Sequence, residues 1–271
     1  MNKPNIHSNT TPFTINAVIL ISLIPTVILS VYKSGIRSLL VIAITIASAV
    51  LFEVLWDLAL RKGINAKELG GAVTGCIVSL ILPVNSPLWT ALIAAFFAVV
   101  IFQKLIGLTR RSFINPAAGT YLLMLVFFGK ILGTDGASIC EQAMPAVIIG
   151  LAILVFKGII QLRIPITFVL SYFIASCIAP IFTGAETGSV ILMQLTSGSL
   201  ILSAVFIAAA YESSPITPNG RILYGVCCGI VTLIFNTSLP LTQSAMLAIV
   251  IMNVLSPIIE RLTIPKTWRN N

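Results

Sequence analysis

Glu53 and Asp57 stand one helical turn apart inside an otherwise apolar run. An ionisable side chain at membrane depth is costly unless it is paired or hydrated, so it is a functional candidate by default. Asp57 lies four residues before Arg61, and a helix-end ion pair accounts for it. Glu53 lies deeper and has no partner in the local sequence, which makes it the first candidate for an ion pathway. Glu212 is the second. It sits in a Pro-rich break with Arg221 nearby, where a loop ion pair is the alternative. Asn115-Pro116 opens another apolar run. Asn is a good N-cap and Pro is accepted in the first turn, so the pair reads either as a cap or as a half-helix end facing a ligand. His7 is the only histidine, and no nucleophile–base pair, phosphate-binding glycine loop or metal cluster is visible. Cys76, Cys140, Cys177, Cys227 and Cys228 show no CxxC spacing. The adjacent pair would point about 100° apart on a helix and cannot chelate from one face. Hydrolytic and group-transfer chemistry is excluded; binding, transport and electron passage remain.

The elements that hold these residues are membrane spans. Only 9% of the 271 residues are charged and 58% are hydrophobic, against about 25% charged in a soluble domain. Apolar runs fall at roughly 13–32, 37–59, 68–83, 88–107, 116–132, 143–160, 165–183, 189–211, 221–237 and 240–258. The expected class is all-α, a single integral membrane domain over 1–271 with about ten spans. Thirteen of the sixteen Lys and Arg then share one side with both termini, leaving Lys33, Arg37 and Lys130 on the other. This positive-inside bias predicts a multi-pass protein of the inner membrane with cytoplasmic termini, and it explains the net charge of +8 without nucleic acid. The first apolar run follows a polar lead and no small-residue cleavage site follows it, so it is expected to be a retained span and not a signal peptide.

Laid over itself at an offset of 128 residues, the chain pairs Ile46-Ala47-Ser48 with Ile174-Ala175-Ser176, Ser86-Pro87 with Ser214-Pro215, and Met124 with Met252. The spans and breaks coincide as well. Two halves of five spans, about 13–132 and 143–259, must enter from opposite faces, an inverted repeat of the kind that places its site at the midplane. The third span of each half is short and Pro-broken. Leu69 to Leu82 covers roughly 21 Å of a ~30 Å hydrocarbon core before Pro83-Val84-Asn85-Ser86-Pro87. Leu200 to Tyr211 ends in Glu212-Ser213-Ser214-Pro215-Ile216-Thr217-Pro218. Paired breaks of this kind point to a central site, the alternative being ordinary loops just outside the bilayer.

Several strings resemble one family. These are Val73-Thr74-Gly75-Cys76-Ile77-Val78-Ser79-Leu80-Ile81-Leu82-Pro83, then Pro87-Leu88-Trp89, Lys104, and Phe113-Ile114-Asn115-Pro116-Ala117-Ala118. In the second half come Ser214-Pro215-Ile216-Thr217-Pro218-Asn219-Gly220-Arg221 and Ala248 to Pro257. Together they are similar to the D subunits of Rnf-type electron-transport complexes and the B subunit of sodium-translocating NADH:quinone oxidoreductase. The resemblance implies a fold like that of urea and ammonium transporters, with two inverted five-helix halves. It implies a subunit, not a complete enzyme, in a flavin-dependent complex coupled to ion movement. Its partners would be other membrane and peripheral subunits, with quinone or flavin carriers, and no nucleic acid.

Two departures qualify it. Flavin-bearing members attach FMN to a threonine in an outer loop between the fifth and sixth spans; here that loop reads Gly133 to Pro145 and lacks the acceptor motif. Thr134 and Ser138 are the nearest candidates, and covalent flavin is not expected. The expected cofactor is a non-covalent flavin, FMN or riboflavin, near the two breaks, with Thr74, Gly75, Asn115, Pro116, Ser214, Thr217 and Arg221 as its candidate residues. The acid of the second break, Glu212, is also displaced by two positions from the family pattern. The alternatives are a non-redox transporter or channel for a small solute on the same fold, and a subunit that only docks electron carriers.

Overall fold

The structure is a computed structural model that describes residues 11–60, 68–108, 114–132, 137–183 and 188–264. It is helical throughout, without a strand among the described residues. In chain order the helices are α1 (Pro12–Ser34), α2 (Ile36–Ala59), α3 (Gly70–Ile81), α4 (Leu88–Phe96), α5 (Pro116–Leu132), α6 (Met144–Phe156), α7 (Arg163–Thr183), α8 (Gly188–Leu195), α9 (Gly198–Leu202), α10 (Pro218–Asn236) and α11 (Leu241–Thr263). α4 continues as a π-helical stretch, Phe97–Leu105, and α9 as another, Ser203–Ala208. Six of these helices are long and apolar enough to cross a membrane: α1, α2, α4 with its extension, α7, α10 and α11. α3, α5, α6 and α9 with its extension are shorter apolar helices.

Small residues set the closest approaches, as expected where lipid gives no hydrophobic drive to helix association. Gly71 and Gly75 of α3 face α2. A Cβ on Gly71 would lie 2.7 Å from Glu53 Oε2, and one on Gly75 would lie 2.8 Å from Ala49 Cβ. Gly225 and Gly229 of α10 face Ile164, Thr167, Phe168 and Ser171 of α7. The register, Ile164 beside Gly225 and Phe168 beside Gly229, makes those two helices parallel. α1 runs along α6, where Gly150 fits against the Ser22 carbonyl.

The eighth apolar run, expected as one span over 189–211, is two helices, α8 and α9. The segment before α6 causes the break. Gly198 N donates to Glu141 O at 2.7 Å and Ser197 Oγ donates to Glu141 Oε1 at 2.5 Å. A side chain at Gly198 would collide with the Cys140 carbonyl. The same segment holds the far end of α3: Ile139 N donates to Leu82 O at 3.0 Å and Cys140 N to Leu80 O at 3.1 Å. The last residues of α3 and the first of α9 are thus tied to one strap, residues 137–143. Arg37 closes the first break by donating to the Asn85 and Ser86 carbonyls, both at 3.2 Å.

Candidate functional site

A cavity of about 330 Å³ lies where α2 ends, α3 begins, α5 begins and the π-helical end of α9 arrives. Its charged floor comes from α2 and α4. Glu53, 4% exposed, accepts the Gly71 amide on Oε2 at 2.8 Å, so a carboxylate sits at the positive end of α3. Its Oε1 lies 3.3 Å from Lys104 Nζ, and Asp57 Oδ1 lies 3.4 Å from the same ammonium. Asp57 thus has Lys104 as a partner across 47 residues; Arg61, to which the sequence points, lies outside the described residues. Two buried carboxylates sharing one ammonium and one backbone amide are a paired, structured group. Breaking such a group exposes an uncompensated buried charge.

The Gly70-Gly71 pair makes this possible. A Cβ on Gly70 would fall 2.9 Å from Gln103 Nε2, as one on Gly71 would crowd the Glu53 carboxylate. Leu69, just before, takes φ +59°, a left-handed conformation that a branched side chain rarely adopts. Asn16 of α1 holds the turn by donating Nδ2 to Glu68 O at 2.7 Å. The π-helical stretch of α4 brings Gln103 and Lys104 to the cavity together. Such stretches recur at functional sites because the extra residue per turn redirects side chains.

Asn115 forms the wall opposite. Its Oδ1 accepts the Ala117 and Ala118 amides at 3.0 and 3.4 Å, capping α5, while Nδ2 donates to the Ile207 carbonyl at 3.0 Å. The carbonyl is at the π-helical end of α9, where the chain's own ladder is irregular and leaves acceptors to be satisfied. Ala209, Ala210, Tyr211 and Glu212 follow and complete the rim. Desolvation by the surrounding protein raises the Glu212 carboxyl above its ordinary range, with the Tyr211 hydroxyl hydrogen bond opposing it.

The structure separates the sequence candidates. Thr74, Asn115, Pro116, Glu53 and Glu212 line the cavity. Gly75 does not; it lets α3 pack on α2. Ser214 is buried in the second break. Thr217 caps α10 by accepting the Gly220 amide, and it meets Thr263 of α11. Arg221 donates Nε to the Pro215 carbonyl at 3.0 Å, a backbone contact in place of the alternative loop pair with Glu212. The two breaks do not share one site: the first stands at the far end of α3, about 18 Å of helix from Gly70. Ser138 is 3% exposed and donates to Glu141 Oε2 at 3.0 Å, inside the strap. Thr134 lies outside the described residues. Cys140, near Ser138 in the strap, is pushed up to about 12 by burial and is held as a thiol.

No sequence signal singles out Asn16, Glu68 or Gln103, and Lys104 enters only as part of a family string. An isolated Lys within the long apolar run of α4 is the signal that could have found it. Gln103 Oε1 is buried and has no hydrogen-bond partner within the protein. The cavity thus offers the Gln103 amide, a lysine held between two carboxylates, a capped helix start and apolar walls from Ile19, Ile77 and Phe206. Its size is at the lower end of sites for ring-sized ligands. Such a lining can bind and orient a planar polar ring; it has no group placed as a nucleophile.

The chain matches the model of the NQR2, RnfD, RnfE family over residues 1–134 and 129–269. It is 27% identical to the D subunit of the Na(+)-translocating ferredoxin:NAD(+) oxidoreductase complex of Acetobacterium woodii, over 96% of this chain and 92% of that protein. It is 27% identical to the D subunit of the ion-translocating oxidoreductase complex of Methanosarcina acetivorans, over 91% of this chain and 88% of that one. The B subunit of the Na(+)-translocating NADH-quinone reductase of Chromohalobacter salexigens is also 27% identical, over 80% of this chain and 63% of the relative.

Proposed function

The chain belongs to the NQR2, RnfD, RnfE family, and we propose that it is an Rnf D-like membrane subunit of an ion-translocating ferredoxin:NAD oxidoreductase. The near full-length similarity to D subunits of such complexes supports the reading. In it the protein works beside other membrane and peripheral subunits, which supply the nicotinamide and iron–sulfur chemistry absent from this sequence, with quinone or flavin carriers as further partners.

The carrying observation is Gln103 on the lining of the cavity between the start of α3 and the end of α9, with its Oε1 buried and without a donor. A buried acceptor without a donor costs about 1–3 kcal/mol, which a ligand N–H would recover once the Gln103 amide turns toward it. A flavin ring carries such an imide N–H, and its bulk matches the cavity, so the residues present fit a non-covalent FMN or riboflavin. Gln103, Thr74 and Asn16 are the groups available to hold its polar edge, with Ile77 and Phe206 against its face. When bound, the flavin would supply single- and two-electron transfer. The chain's own residues bind it, exclude water and hold charge: Lys104 offsets part of the charge of Glu53 and Asp57 beside the ring site. The fit of a covalent flavin is poor at Ser138, whose hydroxyl is buried and engaged by Glu141.

Ten spans in two inverted halves are part of this reading. Six long and four shorter apolar helices supply the number. The helix bounds support the repeat, since α3 at Gly70–Ile81 and α9 with its extension at Gly198–Ala208 start 128 residues apart. Gly71 and Gly75 then correspond to Ser199 and Ser203, small residues at the same spacing. The charge bias puts the cavity, which lies on the Arg- and Lys-rich side, toward the cytoplasm in an inner membrane.

The test is the absorption and fluorescence of the detergent-purified protein before and after acid precipitation. Flavin released by acid, and lost in Gln103→Ala, is the expected result. Flavin that stays with the pellet would refute non-covalent binding. A colourless, folded protein would move the weight to a small-solute transporter, tested then by flux in liposomes.

A further inference from the structure

At the end of the molecule that carries the second break, α7 and α10 begin side by side. Gly225 brings them together: its Cβ position lies 3.0 Å from the Ile164 carbonyl and against the Thr167 side chain. Arg163 is the first residue of α7 and Arg221 the fourth of α10. Because Ile164 meets Gly225 one turn after Arg221, the two arginines stand at the same end of the parallel pair. Among the described residues, the ion pairs at salt-bridge distance are both those of Lys104, so neither arginine has a carboxylate at that distance. Glu260 of α11 accepts the Ile216 amide at 2.7 Å. Arg221 commits Nε to the Pro215 carbonyl, which fixes its guanidinium in place and leaves its other N–H groups without a described carboxylate at salt-bridge distance.

Cations ordinarily favour the C-terminal ends of helices, where the macrodipole is negative. Here two arginines and two helix starts of positive potential converge with no described carboxylate at salt-bridge distance. The surface around them is apolar and exposed: Leu162, Ile166, Ile216, Ile222 and Leu223. A charged ligand lacking an apolar part would leave that surface bare. A phospholipid covers both, with its phosphate on the guanidinium groups and its acyl chains along Ile166 and Ile222.

We propose that the surface at the paired starts of α7 and α10 is a binding site for the head-group phosphate of an anionic phospholipid, held by Arg163 and Arg221. The site is separate from the cavity. Planar guanidinium donors match phosphate oxygens in pairs, so the site selects a phosphate rather than diffuse negative charge. The preference for an anionic over a zwitterionic lipid follows from the second positive charge, which no described carboxylate neutralises at salt-bridge distance.

The experiment is native mass spectrometry of the full-length, delipidated protein titrated with phosphatidylglycerol, with phosphatidylcholine and with inorganic phosphate. Phosphatidylglycerol should bind roughly fivefold or more tightly than phosphatidylcholine, and Arg163→Gln should remove most of that preference. Arg163→Lys should retain part of it. Lys157→Gln, at the end of the neighbouring α6, should leave it unchanged. Each variant is checked for folding by gel filtration and helicity, and Arg163 is exposed, so its loss leaves the core intact. Equal binding of the two lipids would overturn the proposal, as would full preference in Arg163→Gln. So would an equal loss in Lys157→Gln, which would reveal general surface charge. Displacement of phosphatidylglycerol by millimolar inorganic phosphate, with phosphate alone retained, would assign the site to free phosphate and overturn the lipid assignment.

Discussion

Asn115 and Ile207, 92 residues apart, are joined by a hydrogen bond of 3.0 Å from the Asn115 amide to the Ile207 carbonyl. One side chain thereby caps α5 and satisfies a carbonyl at the irregular end of α9. Asn115→Ala removes the cap, worth about 0.5–2 kcal/mol, together with the cross-link to the Ile207 carbonyl, which keeps its backbone donors Ala209 N and Ala210 N. Asn115→Asp keeps the cap and sets a carboxylate against that carbonyl. Thermal melts in detergent should show both variants destabilised. Wild-type stability in Asn115→Asp would mean that only the cap matters.

Lys104 is the ammonium shared by Glu53 and Asp57. Lys104→Met leaves two buried carboxylates without the cation they share, a loss of about 3–5 kcal/mol while both are ionised. Adding Glu53→Gln and Asp57→Asn should recover part of it, because the neutral amides no longer need the charge. Denaturation of the single and triple variants measures this. A triple variant no more stable than the single one would show that Lys104 acts through packing and not through charge.

Glu212 has its carboxyl raised by desolvation above the ordinary value of 4.5. The protonated form is favoured in the folded state, so its stabilising contribution is full below about pH 4.5 and is lost as pH rises through the raised value. Melts from pH 4 to pH 8 should fall more steeply for the wild type than for Glu212→Gln, which keeps an acceptor for Tyr211. Parallel curves would show that the group titrates as it does in the unfolded chain.

The positions of the helices are legible in the sequence because hydropathy and proline act locally. The start of α3 falls at Gly70 and that of α5 at Pro116, within two residues of expectation. The break at Ser197 is not legible, since it depends on Glu141 reaching across 56 residues. Thr74, Asn115, Glu53 and Glu212 lie on the cavity, but Gly75, Ser214, Thr217 and Arg221 serve helix packing and the second break. A motif does not distinguish a residue that faces a cavity from its neighbour about 100° around the helix. Gln103 and Lys104 are obscured for a further reason: their direction is set by a π-helical stretch, for which the sequence carries no reliable signal.

The α7–α10 contact separates two kinds of close approach. At Gly225 a Cβ meets Thr167 Oγ1 and Cβ, side-chain atoms, with the Ile164 carbonyl at 3.0 Å. At Gly229 it meets the Ser171 hydroxyl and also backbone, with Phe168 O at 2.5 Å and Tyr172 N at 2.8 Å. Both Gly225→Ala and Gly229→Ala should destabilise, by about 1–3 kcal/mol or more, since the helices must separate. Removing the side-chain obstacle should help only the first. Gly225→Ala with Thr167→Ala should recover much of the loss, while Gly229→Ala with Ser171→Ala should not, because backbone cannot give way without moving α7. Melting temperatures of the four variants decide it, and recovery at Gly229 would mean that α7 and α10 tolerate a wider spacing than their glycines now give them.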